Sequence, residues 1–272
     1  VFLRSDFSRY KNYPNQLSSL QKDVVVGTLL GDSWIPKSKG RYHCFGFEQT
    51  IKKFDYVDHV HQIISPFTEN SKIREVINDK RKWGKGIYKT CRFRSMCHPV
   101  FSAFRKDWYK DGIKVVPDIL TLNWRRLAYW FADDGHNRKG NKKEIVLSSQ
   151  SFTLGENERL SKILSDNFGV FTSVNKRMGK EKMLYYLRVR ACSYFDFIDG
   201  VSPYLSGIES MMYKMDVSGV SLNCNPHYTS SDKKNVMKLW ELGDYTKEEL
   251  AELVGCHKVT IGRWIKSAEK EK

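Results

Sequence analysis

Two stretches decide how this chain reads: Val25-Val26-Gly27-Thr28-Leu29-Leu30-Gly31-Asp32-Ser33 and Leu127-Ala128-Tyr129-Trp130-Phe131-Ala132-Asp133-Asp134-Gly135. Each closes an apolar segment of helical length, Ser19–Asp32 in one case and Trp124–Asp134 in the other. Gly27 and Gly31 stand four apart, as do Ala128 and Ala132, so each pair shares one helical face with almost no side chain on it. Another helix can approach such a face closely. Both helices then end in aspartate, at the terminus where the macrodipole is already negative. One such residue reads as a surface aspartate ending a core helix. Two of them, on helices packed side by side, force carboxylates together, which is costly unless a cation neutralises them. Oxygen donors from Asp32, Asp134 and the helix-end carbonyls suit Mg²⁺, which also binds phosphate. The geometry predicts metal-assisted phosphodiester hydrolysis.

Working outward, the same order of elements follows both stretches. In the first copy, Ile35–Lys37 and Tyr42–Phe47 read as a hairpin about Lys39-Gly40, and Ile51–Ile64 as an amphipathic helix. Ile73–Ile77 and Ile87–Phe93 alternate as strands about Gly84 and Gly86, and Val100–Trp108 is a short helix. In the second, Ile145–Leu147 is a strand and Asn157–Phe168 a helix after a turn at Gly155. Val170–Val174 and Leu184–Val189 form a hairpin around Gly179, and Tyr194–Ile198 is helical. Offsets support a duplication: Glu48 lies 16 residues after Asp32 and Gln150 lies 16 after Asp134, while Lys114 and Lys214 lie 82 and 80 residues after the same aspartates. The expectation is an α+β fold of two pseudo-symmetric αββαββα halves, residues 1–118 and 119–220, a linker at 221–231 rich in turn formers, and a small all-α domain at 232–272.

The chain has 272 residues, 40% of them hydrophobic and 13% aromatic, enough for real cores and unlike a disordered chain. No run of 18 apolar residues exists, so no membrane helix is expected. The opening residues lack the order of a signal peptide, and six cysteines occur without a CxxC or a zinc-finger spacing. Cys91, Cys97 and His98 come nearest to a metal cluster, but buried free thiols in a reducing compartment explain them better. The protein is expected inside the cell with DNA, in a bacterial or phage cytoplasm or an organelle matrix, and not secreted.

The net charge of +15 points to a polyanion. Residues 228–272 hold nine basic and eight acidic groups, so nearly all of the excess lies upstream. Residues 72–94 alone carry nine Lys/Arg against two acidic groups. In Gly86–Ser95, Tyr88, Thr90, Arg92 and Arg94 alternate with Ile87, Cys91 and Phe93. In Met183–Arg190, Tyr186, Arg188 and Arg190 alternate with Tyr185, Leu187 and Val189. Strand period is two, so each is a sheet with one apolar and one basic face, and arginines on such a face can read guanines in the major groove. The candidates for DNA contact are Arg41, His43, Arg74, Lys89, Arg92 and Arg94 in the first half, and Arg138, Arg188 and Arg190 in the second.

The tail differs in kind. Thr246 and Glu249 form a capping box, Gly255-Cys256-His257 a turn, and Lys258–Lys266 a second helix, with Lys233–Leu242 completing three. Ala251, Gly255 and Ile261 fall where a helix-turn-helix needs a small residue, a turn glycine and a core residue, and the piece resembles that of resolvases. On that likeness His257, Lys258, Thr260, Arg263 and Lys266 would touch DNA.

Leu127–Gly135, Gln150-Ser151-Phe152-Thr153 and Met211-Met212-Tyr213-Lys214, together with Val25–Ser33, resemble the single-chain LAGLIDADG homing endonucleases over roughly residues 17–215. The resemblance implies that Asp32 and Asp134 bind the catalytic metals, helped by the carbonyls of Gly31 and Asp133. It implies that Lys114 and Lys214 each stand near a scissile phosphate and that Glu48 and Gln150 belong to the network around metal and water. It further implies four-stranded sheets straddling the DNA, double-strand cleavage across the minor groove with 3′ extensions, and action as a monomer on a long asymmetric site. Mg²⁺ is the expected cofactor, with Mn²⁺ able to substitute and Ca²⁺ supporting binding without efficient cutting. Ser33, Tyr129 and Asp133 depart from the motif, which usually has small residues there. Two other readings of the same fold are an RNA maturase acting on its own intron and a DNA-binding regulator without catalysis.

Overall fold

The computed structural model describes residues 13–68, 71–79, 86–137, 144–218, 230–254 and 258–269. The chain divides into two compact units, residues 1–190 with 194–220, and residues 221–272 with 191–193. Among the described residues no helix is long and apolar enough to cross a membrane.

The first unit runs α1 (Ser19–Leu30), β1 (Gly46–Thr50), α2 (Phe54–Ile63), β2 (Arg74–Asp79), β3 (Ile87–Arg94), α3 (Pro99–Trp108), β4 (Tyr109–Lys110), β5 (Ile113–Lys114), then α4 (Trp124–Asp134), β6 (Gly135–Asn137), β7 (Ile145–Leu147), α5 (Leu154–Phe168), β8 (Thr172–Met178), β9 (Met183–Val189) and α6 (Tyr194–Leu205). This is an α+β fold of two halves, each led by one of the two motif helices. α1 starts at a capping box, where Ser18 Oγ accepts the Gln21 N–H at 3.2 Å and the Gln21 side chain accepts the Ser18 N–H at 3.0 Å. Asn123 caps α4 by accepting the Arg126 N–H at 2.9 Å. One continuous core fills both halves, from Val24, Val25, Leu29 and Phe47 to Trp130, Phe131 and Phe197.

The first sheet has the order β1-β3-β2 and the second β6-β7-β9-β8, all antiparallel. The hairpin expected at Ile35–Lys37 does not form. Trp34 and Gly46 exchange one pair of backbone bonds at 2.9 and 2.8 Å, after which Pro36 has no N–H to continue the ladder. The helix expected to follow a turn at Gly155 starts at Leu154 instead, because Thr153 and Glu156 form a capping box. The helix expected to stop at Ile198 continues to Leu205, with Gly200 set against the Trp124 ring.

A hairpin that periodicity did not reveal, β4–β5, turns through Asp111 and Gly112, both at positive φ (51° and 83°). Two such residues make a type I′ turn, for which Asp-Gly is a favoured pair. The second unit holds α7 (Ser230–Leu242), α8 (Lys247–Leu253) and α9 (Lys258–Glu269), packed around Val236, Leu250, Ala251, Ile261 and Ile265. The expected capping box at Thr246 is present.

Candidate active site

α1 and α4 lie against each other with almost no space between their backbones. A Cβ on Gly27 would fall 2.5 Å from the Arg126 carbonyl oxygen and 2.7 Å from Tyr129 Cβ, and one on Gly31 would fall 2.4 Å from Asp133 Cβ. The bare face therefore belongs to α1 alone. Tyr129 and Asp133, the two bulky departures on α4, sit over the two glycines, rather than Ala128 and Ala132 making the close approach. Away from the motif aspartates, Asp23 of α1 fixes the pair. Only 5% exposed, it accepts from Arg126 Nε at 2.7 Å, Asn123 Nδ2 at 3.0 Å and Arg125 at 3.4 Å.

At the other end Asp32 follows α1 and Asp134 closes α4. Between them lies Asp133, 8% exposed, whose Oδ2 accepts the Asp32 backbone N–H at 3.0 Å. Its Oδ1 accepts the Tyr56 hydroxyl at 2.9 Å and Gln49 Nε2 at 3.2 Å, and Gln49 Nε2 also donates to Asp32 Oδ2 at 2.6 Å. Lys53 Nζ donates to Gln49 Oε1 at 3.2 Å. Gln49 and Lys53 are thus neighbours of the motif aspartates that residue spacing does not reveal. The spacing points instead to Glu48, whose carboxylate turns to the other face of β1, accepting Thr90 Oγ1 at 2.6 Å and facing Arg92 at 3.7 Å. Counting residues from the motif finds the strand; side-chain parity, the signal overlooked, decides which residue looks inward. Gln150 sits half-buried in the turn after β7.

Each lysine reaches a motif helix at its carbonyl end. Lys114, carried by β5, donates to the carbonyls of Gly31 at 2.8 Å and Ser33 at 2.7 Å. Lys214, only 2% exposed, donates to the carbonyls of Phe131, Ala132 and Gly135 at 2.9, 2.6 and 2.7 Å. A cation there offsets the negative end of each helix. The Gly31 carbonyl, expected to face a metal, accepts the Lys114 ammonium.

The charges are strongly coupled. Burial, and then the neighbouring Asp32, pushes the Asp134 carboxyl up to about 7, against the opposing pull of Lys114, Lys214 and Lys53. Burial and Asp32 raise Asp133 as well, opposed by the hydrogen bonds it accepts. Burial and Lys53 bring Lys214 down to about 7, and burial lowers Lys114. A buried acid raised further by a second carboxylate beside it marks a site short of positive charge. Among the described residues no group of three or more His, Cys, Asp or Glu side chains is arranged to hold a metal. The carboxylates that could face a hard dication here are Asp32 and Asp134.

The sheets carry the expected faces in part: Thr90, placed on the polar face of β3, is buried at 6%, and Ile87, placed on the apolar face, is 55% exposed. In β3, Cys91 and Phe93 are buried, and antiparallel register places Glu48, Arg92 and Arg74 side by side on the opposite face, with Arg94 two residues further on. Lys89 has the other parity and lies 4.0 Å from Glu75. In β9, Leu187 and Val189 are buried, while Arg188 is exposed and pairs with Glu144 at 3.1 Å. Arg190, just beyond β9, is exposed. Arg41 lies over the Tyr42 ring at 5.4 Å, and His43 turns to Ser102 at 3.1 Å. In the second unit Lys258 pairs with Glu248 at 3.2 Å and Lys266 is exposed. Arg138 and His257 lie outside the described residues, as do the side chains of Thr260 and Arg263.

Known proteins resemble this chain in sequence and in fold. The chain is 29% identical over 218 residues to the "Probable intron-encoded endonuclease 1" of Wickerhamomyces canadensis, covering 76% of this chain and 88% of that one. It is 26% identical over 211 residues to the "Cytochrome b mRNA maturase bI2" of Debaryomyces hansenii, covering 75% and 76%. In structure it resembles the homing endonuclease I-WcaI, solved bound to its DNA recognition sequence, with TM-score 0.64 at 24% identity over 79% of this chain and 93% of that one. The sequence profile of LAGLIDADG DNA endonucleases matches residues 22–197, both motifs included. The chain belongs to the LAGLIDADG DNA endonuclease family.

Proposed function

We propose that this protein is a site-specific homing endonuclease that makes divalent-metal-dependent double-strand breaks in a long asymmetric DNA site. The observation that carries the proposal is the pairing of Asp32 and Asp134 at the adjoining ends of α1 and α4, with one basic sheet face contributed by each half. Asp32 and Asp134 would hold the metal, Mg²⁺ or Mn²⁺, which when bound supplies charge neutralisation and Lewis acidity at the phosphate. The chain's own groups do the rest. Lys114 and Lys214 fix the carbonyl ends of the motif helices, and so the aspartates that follow. Gln49 holds Asp32 Oδ2, and Lys53 adds positive charge beside it. Two aspartates related by an internal pseudo-dyad match the two strands of a duplex, one strand to each half. Arg74, Arg92 and Arg94 in one half, and Arg188 and Arg190 in the other, are the proposed base and phosphate contacts. In the second unit the exposed Lys258 and Lys266 of α9 are proposed further contacts. The maturase relative supports a second reading, action on the RNA of a host intron.

The test is selection of cleaved duplexes from a randomised DNA library. Mg²⁺ and Mn²⁺ should yield one long consensus cut on both strands with 3′ extensions, while Ca²⁺ should yield binding with little cutting. Cutting that persists in excess EDTA would remove the metal from the account.

A further inference from the structure

The two halves are not equivalent where they meet. At one motif position α1 is capped by Gly31, while α4 has Asp133, and the Asp133 side chain occupies the place that a side chain on Gly31 would need. Asp133 is buried, yet both of its oxygens are engaged, and every partner belongs to the first half. Oδ2 accepts the Asp32 N–H at 3.0 Å, and Oδ1 accepts Tyr56 Oη at 2.9 Å and Gln49 Nε2 at 3.2 Å. Gln49 closes the ring by donating to Asp32 Oδ2 at 2.6 Å. Asp32 is therefore held at its backbone and at its carboxylate by one connected group that reaches across the pseudo-dyad. Glycine at 31 has no side chain with which to do the same for Asp134. Tyr56 is fully buried and stacks on Tyr129, whose hydroxyl meets His59 Nε2 at 2.7 Å, so α2 anchors the group to α4.

We infer that Asp133, supported by Tyr56, is a positioning residue for Asp32 alone, and that the two DNA strands are consequently cut by sites of unequal rigidity. The inference rests on the reading that Asp32 and Asp134 each serve one strand. A carboxylate bonded to a ligand-bearing residue in this way orients that residue and keeps it from turning away when it meets a cation. Removing the support should loosen the Asp32 site and leave the Asp134 site intact.

The test uses the full-length protein and a duplex that the wild type itself selects from a randomised library, labelled differently on each strand. Asp32→Asn and Asp134→Asn first identify which strand each half serves; if neither changes cleavage, the parent reading fails and not this inference. Asp133→Ala should then slow the Asp32-served strand by about 10–100-fold. The other strand should stay within about threefold, so a duplex nicked in one defined strand accumulates. The Mg²⁺ concentration needed for half-maximal nicking of the slowed strand should rise, while Ca²⁺-supported gel-shift affinity stays level. Tyr56→Phe, which removes one hydroxyl, should shift the strand ratio in the same direction and carries the test if Asp133→Ala does not fold. Equal slowing of both strands, no change in either, or slowing of the Asp134-served strand would each overturn the inference. A merely structural role would lower both rates together.

Discussion

Asp134 and Lys214 face each other's charges in a buried setting, and burial, which disfavours either charge, moves both toward neutrality from opposite sides. Asp134 moves from 3.8 to about 7, so the folded protein holds an extra proton between those values, and its contribution to stability falls as pH rises through that window. Lys214 moves from 10.5 to about 7, so the unfolded chain holds the extra proton between 7 and 10.5, and its contribution rises with pH there. The two meet in a minimum near neutral pH. In chelated protein, Asp134→Asn should raise the thermal midpoint at pH 7 to 8, with the gain vanishing by about pH 4. An equal gain at both pH values in parallel melts would contradict the burial account. At this scale the sequence was legible in placement where position is local to a helix end, as at Asp32 and Asp134. It was less so on β1, where Glu48 and Gln49 differ by one position and by which face they serve.

The motif helices succeed as a pair because glycines on α1 receive bulk from α4. A methyl at Gly27 has a backbone carbonyl 2.5 Å away, which cannot swing aside. Gly27→Ala should cost about 1–3 kcal/mol in urea unfolding, the range for overpacking a tightly filled interface. A neutral or stabilising effect would show that the helices stand further apart. At the other end of the pair, Asp23→Ala removes the carboxylate from Arg126, which is mostly buried and keeps only its Thr121 hydrogen bonds, and should cost about 3 kcal/mol by the same measurement. Periodicity disclosed most of these elements, α4 to the residue. Two departures have physical causes. Pro36 silenced a strand that composition favoured, and the Asp111-Gly112 turn built a hairpin too short to show a period, although it is the device that brings Lys114 to Gly31.

Over the whole molecule, the duplication and the uneven charge were visible as offsets and counts, since both survive divergence of the side chains between them. The first unit should therefore bind DNA without the second. Truncation after Pro226 should leave a folded, metal-dependent nuclease with weaker affinity and a shorter footprint. For every phosphate that the tail neutralises, its removal should flatten the log K against log salt slope by about 0.9. Identical DNase footprints and salt slopes would make the three-helix unit a packing module. The central claim, that the aspartates ending α1 and α4 form the cutting centre, is tested most directly by Asp32→Asn and Asp134→Asn, assayed for double-strand cleavage in Mg²⁺ and for gel shift in Ca²⁺ on the selected duplex. Either substitution should abolish double-strand cleavage while wild-type binding is retained; full double-strand cleavage by either variant would contradict the claim.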